Sequence, residues 1–214
     1  MKRLRNVKQI ALPRRFAQDK RGATAVEFAL VSVPFFGLLL AILETGFVAW
    51  ANEGLQTAVA DAGRNLMTGV AQTSSITTAD QFRTTYICPA NGPRILPSFI
   101  DCSKLIIDVR SYSVPASYSV FATLDTANDF YATNATRLFC PGNAGAITIV
   151  RVAYPMPVYL PILVAAPNNS VGVQTAGQYQ GVPGTTGYTH LLLATSVFQA
   201  EPYTSGTYTP PPGC

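Results

Sequence analysis

Between Ala23 and Ala51 the only charged residues are Glu27 and Glu44, and Phe28 to Leu43 carries no charge at all. As a helix, that uncharged run is about 24 Å long and the two carboxylates stand about 26 Å apart. A hydrocarbon layer of about 30 Å is nearly matched, with a glutamate close to each boundary. Pro34 removes a backbone donor inside the run and clashes with the carbonyl of Leu30, which predicts a bend. Beyond the apolar run the pattern turns amphipathic. Leu55, Val59, Ala62 and Leu66 repeat at i, i+4, i+7 and i+11, one apolar helical face, while Glu53, Gln56, Asp61 and Arg64 lie off it. Asp61 and Arg64 are spaced to pair, and Gly69 is a C-terminal stop. One helix of about 45 residues is expected, half in lipid and half emergent.

Thr78-Ala79-Asp80-Gln81 has the form of a capping box and predicts a short helix to about Tyr86. The period then changes to two. Leu105, Ile107 and Val109 alternate with Asp108 and Arg110, a strand with one wet face. Ile147 to Tyr154 and Leu191 to Phe198 are more continuously apolar and predict better-buried strands. Residues 111–146 and 168–189 are rich in Ser, Thr, Asn, Gly and Tyr, as exterior loops are. Tyr154 to Pro167 is apolar but holds Pro155, Pro157, Pro161 and Pro167, so it is too short and too proline-rich for a second span. It reads as a strap over the sheet's core, or as an exposed patch for a partner or the outer leaflet. The tail from Thr209 to Cys214 is stiff and extended.

Charge sharpens the membrane reading. Residues 1–21 carry a net +7 and residues 22–214 a net −3. A basic head before an apolar run stays in the cytoplasm by the positive-inside rule, which puts everything after about residue 50 outside. A folded basic surface for nucleic acid is not visible elsewhere, so no nucleic-acid partner is expected. Charged residues make up 12% of the chain, against about 25% in ordinary soluble domains, as a membrane segment or a neutral polar surface requires.

All four cysteines, Cys88, Cys102, Cys140 and Cys214, fall on the outer side, where disulfides persist. None forms a C-x-x-C pair, and His190 alone cannot complete a Cys/His zinc set. Three connectivities are open to four cysteines. Cys88 with Cys102 closes a short local loop and is the expected pair, leaving Cys140 with Cys214 to tether the tail. His190 reads as a packed or hydrogen-bonded residue at a strand start. Gly181, Gly184 and Gly187 lack the lysine and strand-to-helix setting of a phosphate loop. Asn134-Ala135-Thr136 and Asn168-Asn169-Ser170 match glycosylation sequons by pattern only. With one histidine, no Ser/His/Asp grouping is readable, and neither cofactor nor catalysis is expected.

The most informative stretch is Lys20-Arg21-Gly22-Ala23-Thr24-Ala25-Val26-Glu27-Phe28. A basic leader ends in glycine, the residue of least steric bulk for a protease at the membrane surface. Cleavage between Gly22 and Ala23 would remove the +7 head and create an ammonium at Ala23, beside Glu27. Glu27 either rests at headgroup level or pairs with an Ala23 ammonium, its own or a neighbour's. A charge pair among packed helices adds little stability but fixes register. This Gly-x-x-x-x-Glu-Phe pattern resembles the processing motif of Flp-type pilins and pseudopilins. Glu44-Thr45-Gly46, Arg64 and Gly69 resemble the TadE-like family of the tight-adherence (Tad) pilus machinery. Asp101-Cys102, Val109-Arg110, Val150 to Tyr154 and Glu201-Pro202-Tyr203 resemble members with larger exterior domains.

The resemblance implies a non-enzymatic minor pseudopilin in assembly of a Flp-type pilus. Its partners would be a prepilin peptidase, other pilins or pseudopilins, inner-membrane assembly proteins and membrane lipid. The expected architecture is α+β and pilin-like, a long N-terminal helix packed on a small antiparallel sheet with disulfide-braced loops. The expected divisions are a leader at 1–22, a transmembrane helix at 23–51, an emergent helix at 52–69 and an extracytoplasmic domain at 70–214. A rival reading comes from Ala49-Trp50-Ala51, which has the small-x-small form of a signal-peptidase site. Cleavage there would release residues 52–214 as a secreted binding protein. Glu44, taken alone, reads as a residue of the outer membrane boundary.

Overall fold

The computed structural model describes residues 22–90, 92–112, 124, 130, 137–159, 179–180, 189–203 and 214. The basic leader, both sequons, the three spaced glycines, the strap beyond Tyr159 and the tail before Cys214 lie outside these residues. The chain divides into two compact units, Met1–Leu43 and Glu44–Cys214.

Helix α1, Ala23–Met67, is continuous for 45 residues and runs through Pro34 without a break. Its first part exposes Val26, Phe28, Leu30, Val31, Val33, Phe35, Phe36 and Leu38. No large apolar side chain there is covered by the protein, so the run is fit to meet lipid. From Ala51 onward the helix has a buried face, with Ala51, Leu55, Ala58, Val59, Ala62 and Leu66 nearly or wholly inaccessible. Removing a Leu or Val side chain from water in this way stabilises the fold by about 1.5–3 kcal/mol each. The helix ends at Met67, and Gly69 follows with φ 78°, in the left-handed region. That is the C-terminal stop the sequence predicts. The i,i+3 ion pair in the region beyond α1 is Asp80–Arg83, at 2.9 Å; Asp61 instead offers its backbone carbonyl to Asn65.

A further helical turn, α2 (Val70–Thr73), leads to α3 (Ala79–Phe82). The capping box at α3 is complete: Thr78 Oγ1 accepts from the Gln81 N–H, and Gln81 Oε1 accepts from the Thr78 N–H. The chain then widens into a π-helical stretch, Arg83–Ile87, and after the following loop makes a 3₁₀ turn at Cys102–Lys104.

The sheet comprises β1 (Ile106–Tyr112), β2 (Ile147–Pro157), β3 (Tyr179–Gln180) and β4 (Thr189–Gln199), in the order β1-β2-β4-β3, antiparallel throughout. The protein is therefore α+β. Ser111 and Tyr112, expected in a loop, extend β1, and Tyr179–Gln180 add a short edge within a segment expected to be loop. Central strand β2 is buried from Thr148 to Met156. One face, with Val150, Val152, Tyr154 and Met156, joins the core that includes Leu55, Val59 and Leu66 of α1. The other packs Ala153 with Leu191 and Phe130.

That second face corrects the sequence reading. Asp108 was expected on a wet face and is fully buried. It lies directly opposite Arg151 in the β1–β2 register. Its carboxylate accepts from Arg151 Nε at 3.1 Å and from the Leu138 N–H at 2.9 Å, and Arg110 Nε lies 3.0 Å away. The Arg151 guanidinium sits 5.2 Å over the Phe130 ring. Alternation of charged with apolar residues reads as solvent exposure, but here two guanidiniums share one carboxylate, and Asp108 and Arg151 lie buried beneath a second apolar layer.

Two disulfides brace the loops, Cys88–Cys102 and Cys140–Cys214.

Candidate functional site

Gly22 is exposed and immediately precedes the first residue of α1. A Cβ added there would meet nothing within 4 Å, so the chain's own packing does not call for glycine. Glu27 is exposed too, one helical turn after Ala23, and Phe28 is 71% exposed. The motif thus presents a bond of low bulk, then a carboxylate, then an uncovered apolar helix. Gly46 likewise has open space where a Cβ would be, and Arg64 is exposed.

Glu44 has a partner that the sequence did not indicate. It is only 9% exposed, and its Oε1 accepts the backbone N–H of Tyr159 at 2.9 Å. A residue read as a plain boundary carboxylate therefore fastens the segment that follows β2 to α1. The bond spans 115 positions in sequence, and no local pattern signals it.

Several scattered motif positions come together in space. A Cβ on Gly69 would lie 2.4 Å from the Tyr203 ring, so glycine serves both the left-handed backbone and the ring's close approach. The Tyr203 hydroxyl donates to the Gly142 carbonyl at 2.9 Å, and burial raises its pKa above the ordinary 10. Glu201 N–H donates to the Met67 carbonyl at 2.8 Å, satisfying a carbonyl at the end of α1. At the other end of the domain the Asp101 N–H donates to the Tyr154 hydroxyl at 3.3 Å. The Asp101 carboxylate caps the 3₁₀ turn through the Ser103 hydroxyl and N–H, which hold its pKa below 3.8. His190, the second residue of β4, is half-buried, and burial lowers its pKa below 6.5. Among the described residues no three of His, Cys, Asp and Glu gather as a metal site.

Compared with known families, residues 22–64 match the family of TadE-like proteins. This segment is TadE-like. The matched region begins at Gly22 and takes in Glu27, Phe28, Glu44, Gly46 and Arg64, leaving Gly69 and the sheet beyond it. No curated protein and no solved structure matches the chain. The match covers residues 22–64, the first part of the chain's long apolar helix and its continuation, and it is to a family described as TadE-like. TadE-like α1 is also long and apolar enough to cross a membrane, as a membrane-anchored protein requires.

Proposed function

We propose that the protein is a minor pseudopilin of a Flp-type pilus, cut by a prepilin peptidase between Gly22 and Ala23. It crosses the bacterial inner membrane once, with the basic leader in the cytoplasm and the Glu44–Cys214 unit in the periplasm. The observation that carries this reading is the position of Gly22-x-x-x-x-Glu27-Phe28. It stands exposed at the start of an uncovered apolar helix, where the TadE-like match begins. Cleavage frees the helix from its +7 head, and the new Ala23 ammonium meets Glu27 when helices of neighbouring subunits pack. Other pilins, pseudopilins and inner-membrane assembly proteins are the partners.

Release by signal peptidase after Ala51 is disfavoured. Ala51 is fully buried in mid-helix, and that cut would discard Glu44 with its bond to Tyr159.

Intact-mass measurement and N-terminal sequencing of the membrane-extracted protein test the reading. The expected N-terminus is Ala23, and Gly22→Leu should leave the leader attached and abolish pilus assembly. Glu27→Gln should be processed but fail to assemble, because it keeps the side chain's shape and removes its charge. Normal assembly by Glu27→Gln would reduce Glu27 to a headgroup-level residue. Trimming of Gly22→Leu to Ala23 with full function would remove the prepilin reading altogether.

A further inference from the structure

Two segments of the Glu44–Cys214 unit bring aromatic side chains together and leave them uncovered, and a third fastens an exposed tyrosine to the same stretch of helix. Phe47 and Trp50 lie on α1, and Phe99 reaches them from the loop closed by the Cys88–Cys102 disulfide. The Phe99 ring meets Trp50 edge-on at 5.3 Å and Phe47 at 6.2 Å between centroids. Such a cluster would ordinarily be core, yet Phe47 is 50%, Trp50 57% and Phe99 41% exposed. The loop is seated by Pro97, whose Cδ lies 2.6 Å from where a Cβ on Gly54 would be. Its Ile95 is also exposed, and the Arg94 side chain donates to the carbonyls of Pro97 and Ile100, holding the loop on either side of Phe99. The third segment follows β2, where Tyr159, two residues past Pro157, is 73% exposed and anchored through its N–H to Glu44.

Glu44, Phe47 and Trp50 occupy about 9 Å of α1, directly after the uncharged run that ends at Leu43. Tryptophan and tyrosine gather at this depth in membrane proteins because their rings are apolar and their N–H and O–H groups seek water. An exposed aromatic cluster, continuous in sequence with an uncovered apolar helix, fits the lipid interface better than a soluble partner. We propose that Phe47, Trp50, Phe99 and Tyr159 form an aromatic collar that beds the domain in the membrane interface where α1 leaves the lipid. That this is the outer leaflet rests on the topology proposed above. The disulfide-closed loop and the Glu44–Tyr159 bond are the two struts that hold the collar's non-helical members at that level.

Trp50 is the sole tryptophan, so its fluorescence can be read without background. The full chain is reconstituted in phosphatidylcholine–phosphatidylglycerol vesicles whose acyl chains carry bromine either high or near the terminal methyl. Trp50 should be quenched more by high than by low bromine. The decisive variant places the only indole on the loop, Phe99→Trp in a Trp50→Phe background, with Tyr159→Trp in the same background as a second probe. Both should follow the high-bromine lipid and resist aqueous acrylamide several-fold better than Val197→Trp, a control on an exposed β4 position. That control lies beside Ser196, which faces Gly63 some 28 Å along α1 from Glu44 by helical rise.

Loop and Tyr159 probes as open to acrylamide as the Val197 control would overturn the collar. Protection from acrylamide without bromine quenching would overturn it as well, because the cover would then be protein. Protease added to spheroplasts reports the side of the membrane separately. A domain found inside refutes the topology, while bromine quenching still decides the lipid contact.

Discussion

Replacing Asp108 by alanine is the most direct test of the buried charge network. Asp108 is wholly inaccessible and the Arg151 side chain is 5% exposed, so the substitution leaves a guanidinium without its carboxylate in the sheet's interior. Breaking one side of a buried pair costs about 3–5 kcal/mol, much of it from the charge left behind. The Leu138 N–H loses its acceptor at the same time. At about 2–4 °C per kcal/mol for a domain of this size, the melting temperature should fall by about 6–20 °C. Thermal unfolding of the full chain in detergent, followed by circular dichroism without reductant, measures the shift. The double variant Asp108→Leu with Arg151→Met removes both charges and should lose less than Asp108→Ala alone, since Arg110 lies nearer the surface. A loss below about 1 kcal/mol for Asp108→Ala would refute the reasoning, because no buried cation could then have been stranded. A double variant no better than the single one would do the same.

Other outcomes follow from single contacts. Gly69→Ala should destabilise by at least about 1–2 kcal/mol from the left-handed backbone alone, and Tyr203→Ala should relieve only the steric remainder in a double-mutant cycle. Removing the Cys88–Cys102 link with two serines should cost about 3 kcal/mol in chemical denaturation, the chain-entropy value for a loop of roughly 15 residues. For His190 the folded pKa lies below the unfolded value of 6.5. The unfolded chain therefore binds the proton first, and the contribution is whole above pH 6.5 and lost as the pH falls through the folded value. An NMR titration of the imidazole should give a midpoint under 6.5; a midpoint at or above it would show that burial is not what governs this residue.

What the sequence shows well is what neighbouring residues decide among themselves. The face of Leu55, Val59, Ala62 and Leu66, the Thr78–Gln81 box and the stop at Gly69 all rest on spacings of a few residues. Strand cores are legible for the same reason, since apolar runs exclude water wherever they pair. The burial of Asp108 was not legible, because its partner Arg151 lies 43 positions away and its cover comes from Phe130 and Leu138. The partner of Glu44 was not legible for the same reason: the sequence marks a carboxylate ending an apolar run, and only the fold brings the N–H of Tyr159 to it. At the candidate site, Gly22 and Glu27 stand out as a linear pattern, and the TadE-like match takes in both. The contact of Gly69 with Tyr203 is made only by the fold.

Cys140 has a consequence beyond tethering the tail. Residues 138–140 run beside β1 in a single parallel bridge, in which the Val109 N–H donates to the Leu138 carbonyl and the Val109 carbonyl accepts from the Cys140 N–H. They occupy the edge of β1 that faces away from β2. Open strand edges recruit further strands, from other copies as readily as from the same chain. The bond from Cys140 to the chain's last residue locks this cover in place, and it forms only where thiols oxidise. A copy kept among reduced thiols lacks this bond beside Val109, whereas a copy in an oxidising compartment carries it, so the covering of this strand edge depends on the redox surroundings.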